Sequence, residues 1–150
     1  MAHTFTDVLI HALFSTLERR RILNQELRTE LFPYMGGTLK RLGCQPLLTN
    51  GPSDHVHMLF VLPARLPLAD AIEKVKANSS KWVHERYVNK RDFAWQQGYT
   101  AFSVSPSNRQ RVLDYITRQE EHHRKRTFQE EVMTFLKRSG IAFDPRHVFD

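Results

Sequence analysis

A buried strand that carries two histidines constrains this chain more than any other segment. His55 and His57 are separated by one valine in the run Asp54–Leu62, which is otherwise almost wholly apolar. Because side chains i and i+2 of a strand leave the same face, both imidazoles point one way while Val56 packs the other way. Two imidazoles on one face form half of a metal site.

A charged segment about sixty residues downstream supplies the other half. Arg111–Arg126 has helical spacing and contains no glycine or proline. Tyr115 and Gln119 are four residues apart, so a phenol and an amide share one helical face. The same stripe holds three more polar residues: Arg111, His122 and Arg126. The competing interpretation, a solvated charged face, fits Glu120, Glu121, Arg124 and Lys125 best, and we expect His122 and His123 to be surface histidines beside those acids.

Length and composition predict one soluble domain over residues 1–150. No apolar run approaches the roughly 20 residues of a membrane helix, the N-terminus has no signal-peptide pattern, and the single Cys44 excludes an internal disulfide, so we expect a cytoplasmic protein with no membrane partner. Twenty-two Lys and Arg against sixteen Asp and Glu give a net charge of +6. That excess makes a polyanionic partner plausible.

The first half of the chain predicts a strand, a helix and a hairpin. Asp7–Ser15 is apolar on both faces, as in a central strand. Asn24 is a candidate N-cap for a helix that Gly43 ends and that Pro33 should bend or interrupt. Gln45–Thr49 then pairs with the histidine strand across an Asn-Gly-Pro-Ser turn.

The second half predicts another helix, a last strand and further helices. An apolar stripe that begins at Leu68 predicts helix two. Phe93–Val104 is rich in aromatic and β-branched residues, so it should carry the last strand, with Gly98 a possible bulge. Asn108 can cap the Tyr115 helix, and Thr127–Lys137 predicts one more helix.

The order β-α-β-β-α-β followed by helices predicts an α+β, ferredoxin-like split βαβ fold. In this architecture helices cover one face of a central antiparallel sheet. The histidines can then lie on the other face, with the C-terminal helices that carry the tyrosine across it. The tail Ile141–Asp150 is expected to be an extended surface segment.

These groups make chemical sense only when they are assembled. Two imidazoles and one amide oxygen would hold a metal and leave positions for water or a phosphate oxygen. Imidazoles favour zinc and its neighbours, whereas a phosphate-binding site also accepts manganese or magnesium. A phenol is about one part in a thousand ionised at pH 7, so a nearby cation would help Tyr115 to act as a nucleophile. The alternative is that the two histidines are only structural and that Tyr115 is an ordinary half-buried tyrosine. Asp54 is offset by one residue from His55, so it should point away from the site.

Several segments together resemble a known family, the single-tyrosine HUH transposases that move small bacterial insertion sequences of the IS200 type as single-stranded DNA. The segments that carry the resemblance are His11–Thr16, Asp54–Leu59, Lys76–Trp82, Phe93–Gln96 and Tyr115–His123.

The resemblance implies a metal-dependent single-strand DNA endonuclease and strand transferase. His55, His57 and Gln119 would bind Mg²⁺ or Mn²⁺, and Tyr115 would attack a DNA phosphate to form a 5′-phosphotyrosine. The family implies a homodimer with active sites assembled in cis or in trans, and hairpins at element ends as the DNA partner. Five basic residues are candidates for contacts with the DNA backbone: Arg19, Arg20, Arg21, Lys74 and Lys81.

Three alternatives stay open at the level of sequence. A domesticated relative that acts on chromosomal palindromes would carry the same motifs. A ferredoxin-like module that binds single strands without chemistry would give Tyr115 no role, and a metal-dependent hydrolase that uses water would form no covalent intermediate.

Overall fold

The computed structural model describes residues 3–123 and 125–149 and has the predicted α+β architecture. The strands are β1 (Val8–Ser15), β2 (Gln45–Asn50), β3 (His55–Leu62) and β4 (Thr100–Val104). The helices are α1 (Gln25–Arg41), α2 (Leu68–Arg86), α3 (Arg109–Thr117), α4 (Gln119–His123) and α5 (Phe128–Arg138). None of the described helices is both long and apolar enough to cross a membrane.

The four strands form one antiparallel sheet in the order β2-β3-β1-β4. This is the order of the split βαβ pattern, with the first and third strands in the centre. Leu13 of β1 lies opposite His57 of β3, and Ser15 lies opposite His55. The histidine motif therefore sits in a central strand, as its apolar neighbours predict, and the β2–β3 hairpin is confirmed.

Strand alternation separates two layers of the molecule. Phe14, Val56 and Met58 point toward α1 and α2 and belong to the largest apolar core. Leu13 and Leu59 point the other way and pack against residues of α5 and α3, respectively. We call these the core face and the site face of the sheet, because His55 and His57 share the second one.

Helix α1 begins and ends where the sequence predicts. The Asn24 side chain accepts a hydrogen bond from the Leu27 amide at 2.9 Å, and the chain turns after the helix at Gly43, whose φ of 92° suits glycine. Pro33 does not interrupt the helix, which continues to Arg41. Packing of Leu31 and Met35 in the core holds the helix together across the proline.

The last strand is shorter than the predicted Phe93–Val104. It begins at Thr100, so Gly98 lies outside any strand and is not a bulge. Carbonyl groups of Gln96 and Gln97 instead accept hydrogen bonds from the Lys76 ammonium, at 2.9 and 3.2 Å. These carbonyl groups therefore bind a lysine side chain of α2 and do not pair with a neighbouring strand.

The Tyr115 segment is two helices and not one. Helix α3 ends at Thr117, and α4 begins at Gln119. The Asn50 side chain donates a hydrogen bond to the carbonyl of Ile116 at 2.9 Å, which ties the end of α3 to β2. Asn108 precedes α3, but its side chain makes no capping hydrogen bond, contrary to the prediction.

The C-terminal part covers the site face. A capping box at Thr127 and Glu130 starts α5, which places Phe128 against Leu13 of the sheet. The described part of the tail, residues 141–149, is mostly exposed as predicted, but it turns at residues 145–149 and is not extended throughout. Three of its apolar side chains pack against this cluster: Phe143, Val148 and Phe149.

Candidate metal and tyrosine site

The two histidines of the motif are fully buried on the site face. His55 and His57 expose none of their surface. The turn before them requires glycine at Gly51, because a Cβ there would lie 2.2 Å from the His55 carbonyl oxygen. That close approach brings the β2–β3 turn against the start of β3.

The Nδ1 atom of each motif histidine has its own hydrogen-bond partner. His57 Nδ1 lies 2.8 Å from Nε2 of His11, a buried residue of β1. His55 Nδ1 lies 2.7 Å from a carboxylate oxygen of Asp54. Asp54 therefore does not point away from the site as predicted, because it precedes the first residue of β3 and follows turn geometry. Partners of this kind fix the tautomer and orientation of metal-binding imidazoles.

Helices α3 and α4 bring the tyrosine and the glutamine to the same histidines. The ring of Tyr115 lies edge-on to His57, with ring centroids 6.0 Å apart. Gln119 is fully buried, and its Oε1 lies 3.4 Å from His55 Nε2. One chain thus assembles both predicted halves of the site, in cis.

Helix α5 adds a carboxylate to this cluster. Glu131 is 1% exposed, and its Oε1 lies 3.2 Å from Nε2 of His55, 3.1 Å from that of His57 and 3.3 Å from that of His123. Its Oε2 accepts a hydrogen bond from the Tyr115 hydroxyl. His123 is a site residue and not the surface histidine we expected, since α4 turns it inward. His122 stacks on Tyr115, with centroids 4.6 Å apart.

Burial and charge shift the protonation of these groups in opposite directions. Burial, helped by His57, lowers the pKa of His11 to about 3, and burial also lowers the pKa of His57. Burial opposes the charged form of His55, but hydrogen bonds to Asp54 and Glu131 outweigh it and raise its pKa. His57 is therefore held in the neutral form, the form that binds metals.

The pKa values of the carboxyl of Glu131 and the phenol of Tyr115 shift in opposite directions. Burial would raise the pKa of Glu131, but the surrounding histidines, His57 first, hold it well below its usual range. Burial and then the Glu131 charge raise the pKa of the Tyr115 phenol. The phenol is therefore protonated near neutral pH, and its ionisation requires an added positive charge.

The donor set fits a divalent metal ion. One ligand atom from each of His55, His57, His123 and Glu131 lies within 4.8 Å of the other three. Imidazole nitrogen and carboxylate oxygen are ordinary ligands for such ions. The predicted ligand Gln119 lies at the edge of the same cluster.

A basic groove of about 580 Å³ borders the site on the side of His123 and Asp54. Four of its lining residues are basic, Arg19, Arg21, Lys125 and Arg126, and three are acidic, Glu18, Asp54 and Glu130. Arg19 has a left-handed backbone with φ of 56°, and its guanidinium lies over the Phe149 ring at 5.6 Å. The groove thus offers cations beside the cluster.

The other predicted DNA contacts lie elsewhere. Arg20 is paired with Glu18 at 3.2 Å and does not line the groove. Lys74 and Lys81 are exposed on α2, the layer behind the core face, and Lys81 is 3.9 Å from Glu85. The structure does not bring these two lysines near the site.

Three residues of the site were missed from sequence: His11, His123 and Glu131. A signal existed for Glu131, because Phe128, Val132 and Phe135 form an apolar helical stripe that a buried acid interrupts. His11 likewise shares a strand face with Leu9 and Leu13. Polar residues on apolar stripes are the ones to suspect.

Comparisons with known proteins agree on the family. The chain is 26% identical over 129 residues to the transposase for insertion sequence element IS200 of Salmonella typhimurium. The aligned part covers 79% of this chain and 81% of the relative. The IS200 transposase of Salmonella typhi matches with the same identity and coverage.

Two solved structures share the fold. A protein of Deinococcus radiodurans R1 assigned as a transposase has a TM-score of 0.66 at 18% identity, covering 79% of this chain and 95% of the other. A REP-associated tyrosine transposase bound to a REP hairpin has a TM-score of 0.62 at 13% identity, covering 82% and 72%. The family model of IS200-like transposases matches residues 4–119, so this chain belongs to the IS200-like transposase family.

Proposed function

We propose that this transposase cleaves and rejoins single-stranded DNA through a 5′-phosphotyrosine on Tyr115, with a divalent cation, Mg²⁺ or Mn²⁺, at His55, His57 and Gln119. One observation supports the proposal: the Tyr115 ring lies edge-on to the buried His57 of the same chain, with ring centroids 6.0 Å apart. A cation held there would polarise the scissile phosphate and stabilise the developing phenolate.

The residues of the chain divide the remaining work. The Tyr115 oxygen attacks phosphorus, the bond from phosphorus to the 3′-oxygen breaks, and a free 3′-OH leaves. Strand transfer reverses these steps, so the phosphodiester energy stays in the covalent link. Asp54 and His11 orient the two histidines through their Nδ1 atoms.

The basic groove is the proposed path of the DNA strand. Arg19 and Arg21 line it beside the site, and phosphate contacts of this kind position a strand without reading its sequence. Arg20, Lys74 and Lys81 would contact DNA only outside the groove. We propose hairpins at insertion-sequence ends as the DNA form, which the hairpin-bound neighbour supports, and the cytoplasm as the place of action.

Covalent capture tests the chemistry. The protein is mixed with labelled single-stranded hairpins that include sequence flanking its gene, with Mn²⁺, and is run on a denaturing gel. We expect an adduct that requires both metal and Tyr115 and that Tyr115→Phe abolishes. Strong cleavage by that variant would remove Tyr115 as nucleophile. Binding without an adduct or cleavage would favour a module that only binds single strands.

A mixing experiment tests how the site is assembled. The family resemblance implies a homodimer, and the cis contacts described above favour a site made within one chain. We expect that mixed Tyr115→Phe and His57→Ala proteins do not restore cleavage. Restored cleavage would show a trans site that combines Tyr115 of one subunit with the histidines of its partner.

A further inference from the structure

We propose that Asn50 of β2 is a positioning residue for DNA cleavage: its side-chain amide fixes the end of α3 so that the Tyr115 ring stays beside His57. The role in cleavage rests on the proposed function, in which the Tyr115 oxygen attacks the DNA. Asn50 itself makes and breaks no bond in that reaction. The position of the Tyr115 ring is a property of the protein without DNA, so it can be measured separately.

The side chain of Asn50 leaves the sheet on the same face as the histidine pair. Asn50 lies directly opposite His57 in the antiparallel pairing of β2 with β3. Residues directly opposite each other in such a pair place their side chains on one face of the sheet. The Asn50 amide therefore points toward the layer that holds α3, although it comes from an edge strand.

The amide of Asn50 binds the last turn of α3. Its Nδ2 donates a hydrogen bond to the carbonyl of Ile116 at 2.9 Å and lies 3.5 Å from the carbonyl oxygen of Thr117. The last carbonyl groups of a helix have no donor within that helix, so a side chain from another element can bind them. The contact joins the strand that pairs with the histidine motif to the helix that carries the tyrosine, across 66 positions of the chain.

Two contacts of different kinds hold this end of α3 on the sheet. The side chain of Ile116 is fully buried and packs against Leu9 and Leu59. Apolar packing is non-directional, so it holds the helix on the sheet but tolerates a small rotation or shift along the axis. A hydrogen bond weakens steeply when its angle or length changes. The Asn50 amide therefore restricts the rotation and the shift that the apolar contact allows.

The carbonyl that Asn50 holds lies between the tyrosine and the glutamine of the site. Tyr115 precedes Ile116 in α3, and its ring lies 6.0 Å from that of His57. Gln119 begins α4 after one residue, Arg118, whose φ of −97° and ψ of 25° depart from helical geometry. A displacement of about 1 Å at the reacting groups can cost on the order of 100-fold in rate. Loss of this one hydrogen bond is therefore expected to slow cleavage.

Three substitutions separate the donor from the shape of the side chain. Aspartate has nearly the shape of asparagine, but its carboxylate only accepts hydrogen bonds, so Asn50→Asp removes the donor without leaving a cavity. Asn50→Gln keeps an amide donor on a side chain that is longer by one methylene group. Gln110, on the exposed side of α3, donates a hydrogen bond to Asp114 at 3.0 Å. Gln110→Ala therefore removes a similar amide bond that does not reach the sheet and serves as the matched control.

Single-turnover cleavage by the full chain tests the role. Labelled single-stranded hairpins are cut at saturating DNA and Mn²⁺, under conditions where urea denaturation shows each variant to be folded. We expect Asn50→Asp to lower the cleavage rate about 10- to 100-fold and Asn50→Gln to lower it less, with DNA and Mn²⁺ affinities within about threefold of the wild type. Gln110→Ala should cleave at the wild-type rate. A wild-type rate in Asn50→Asp, or an equal loss in Gln110→Ala, would overturn the proposal.

The affinities distinguish positioning from other roles of Asn50. A residue that contacts DNA would lower the affinity for DNA, whereas a positioning residue lowers the rate at saturating DNA. A loss of DNA affinity in Asn50→Asp with an unchanged rate at saturation would therefore make Asn50 a DNA contact and overturn the proposal.

The position of the ring is measured by NMR without DNA. We expect nuclear Overhauser contacts between the ring protons of Tyr115 and His57 in the wild type and in Gln110→Ala, and weaker ones in Asn50→Asp. Unchanged contacts in Asn50→Asp would overturn the proposal even if cleavage were slow. Wild-type cleavage by Tyr115→Phe would overturn the proposed function and this role together. Loss of cleavage in Tyr115→Phe with a wild-type rate in Asn50→Asp would overturn the positioning role alone.

Discussion

The two faces of the central sheet bury different kinds of side chain, although these side chains are neighbours in the same strand, β3. On the core face, Met58 and Phe60 pack among apolar side chains of α1 and α2. On the site face, His55 and His57 are equally buried, yet they meet carboxylates and other imidazoles. Burial alone therefore does not distinguish a core from a functional centre.

The difference lies in what burial costs. Apolar side chains gain free energy when they leave water, whereas a buried polar group must find partners. Among the described residues, no buried side-chain nitrogen or oxygen lacks a hydrogen-bond partner. The site face meets this requirement by collecting His11, His123 and Glu131 around the motif, so its residues depend on one another more than core residues do.

Removing a site-face histidine should give the largest effect on function. His57→Ala deletes a proposed metal ligand, removes the hydrogen-bond partner of His11 Nε2 and takes away one of the several partners of Glu131. We expect DNA cleavage to fall on the order of 10³-fold, measured by gel in saturating Mn²⁺. Met58→Ala, the adjacent core-face change, serves as control and should keep cleavage under conditions where it remains folded. Wild-type cleavage by His57→Ala across a metal titration would remove this histidine from the ligand set.

Met58→Ala, the change on the core face, should lower stability and leave metal binding intact. Met58 is fully buried, and truncation to alanine leaves a cavity. We expect the free energy of unfolding to fall by about 3 kcal/mol, measured by urea denaturation, with the Mn²⁺ affinity of the folded protein unchanged. A large loss of metal affinity would mean that the two faces are coupled through β3.

The N-caps of two helices allow the same comparison between the core face and the site face, with smaller expected effects. Asn24 caps α1 behind the core face, and Thr127 caps α5, which carries Glu131. Replacement by alanine should cost about 1 kcal/mol of unfolding free energy in each case. Only Thr127→Ala should also weaken Mn²⁺ binding, because it loosens the helix that holds Glu131 against His55 and His57. Equal metal affinity in both variants would show that α5 keeps Glu131 in place without its cap.

The sequence predicts the core face better than the site face, for physical reasons. Strand alternation and helical stripes identify β1, β3, α1 and α2, because apolar periodicity records one-sided burial. The His55–His57 pair is visible because both residues are close in sequence. Glu131 was missed because its histidine partners in β3, such as His57, are 74 residues away, and no local pattern reports a contact of that range.

Errors in the elements have the same origin. The strand predicted over Phe93–Val104 has strand composition, but Lys76 binds its carbonyls. The helix predicted through Arg118 has helical composition, but Asn50 takes the carbonyl of Ile116. In both cases a side chain from a distant element forms hydrogen bonds with backbone carbonyl groups of the segment. Local sequence propensity does not report such contacts.

Two carboxylates sharpen the comparison with the smallest expected effect. Glu30, an exposed residue of α1, accepts hydrogen bonds from the Arg86 guanidinium at 3.1 and 3.0 Å and from the Tyr87 hydroxyl. These bonds, Arg86 first, lower the pKa of Glu30 to about 2. A carboxyl whose pKa is depressed in the folded state stabilises that state above its unfolded pKa and loses the contribution as pH falls.

We therefore expect Glu30→Gln to flatten the decline of stability between roughly pH 5 and pH 2, with little effect at metal binding. The contribution is small, because solvent and salt screen an exposed pair, and it should shrink further in about 0.5 M NaCl. Urea denaturation across this pH range measures it. Glu131→Gln is the matched change on the site face, where the same loss of charge beside His55 and His57 should act on Mn²⁺ affinity at pH 7. If Glu30→Gln changed metal affinity as Glu131→Gln does, the separation between the two layers would be wrong.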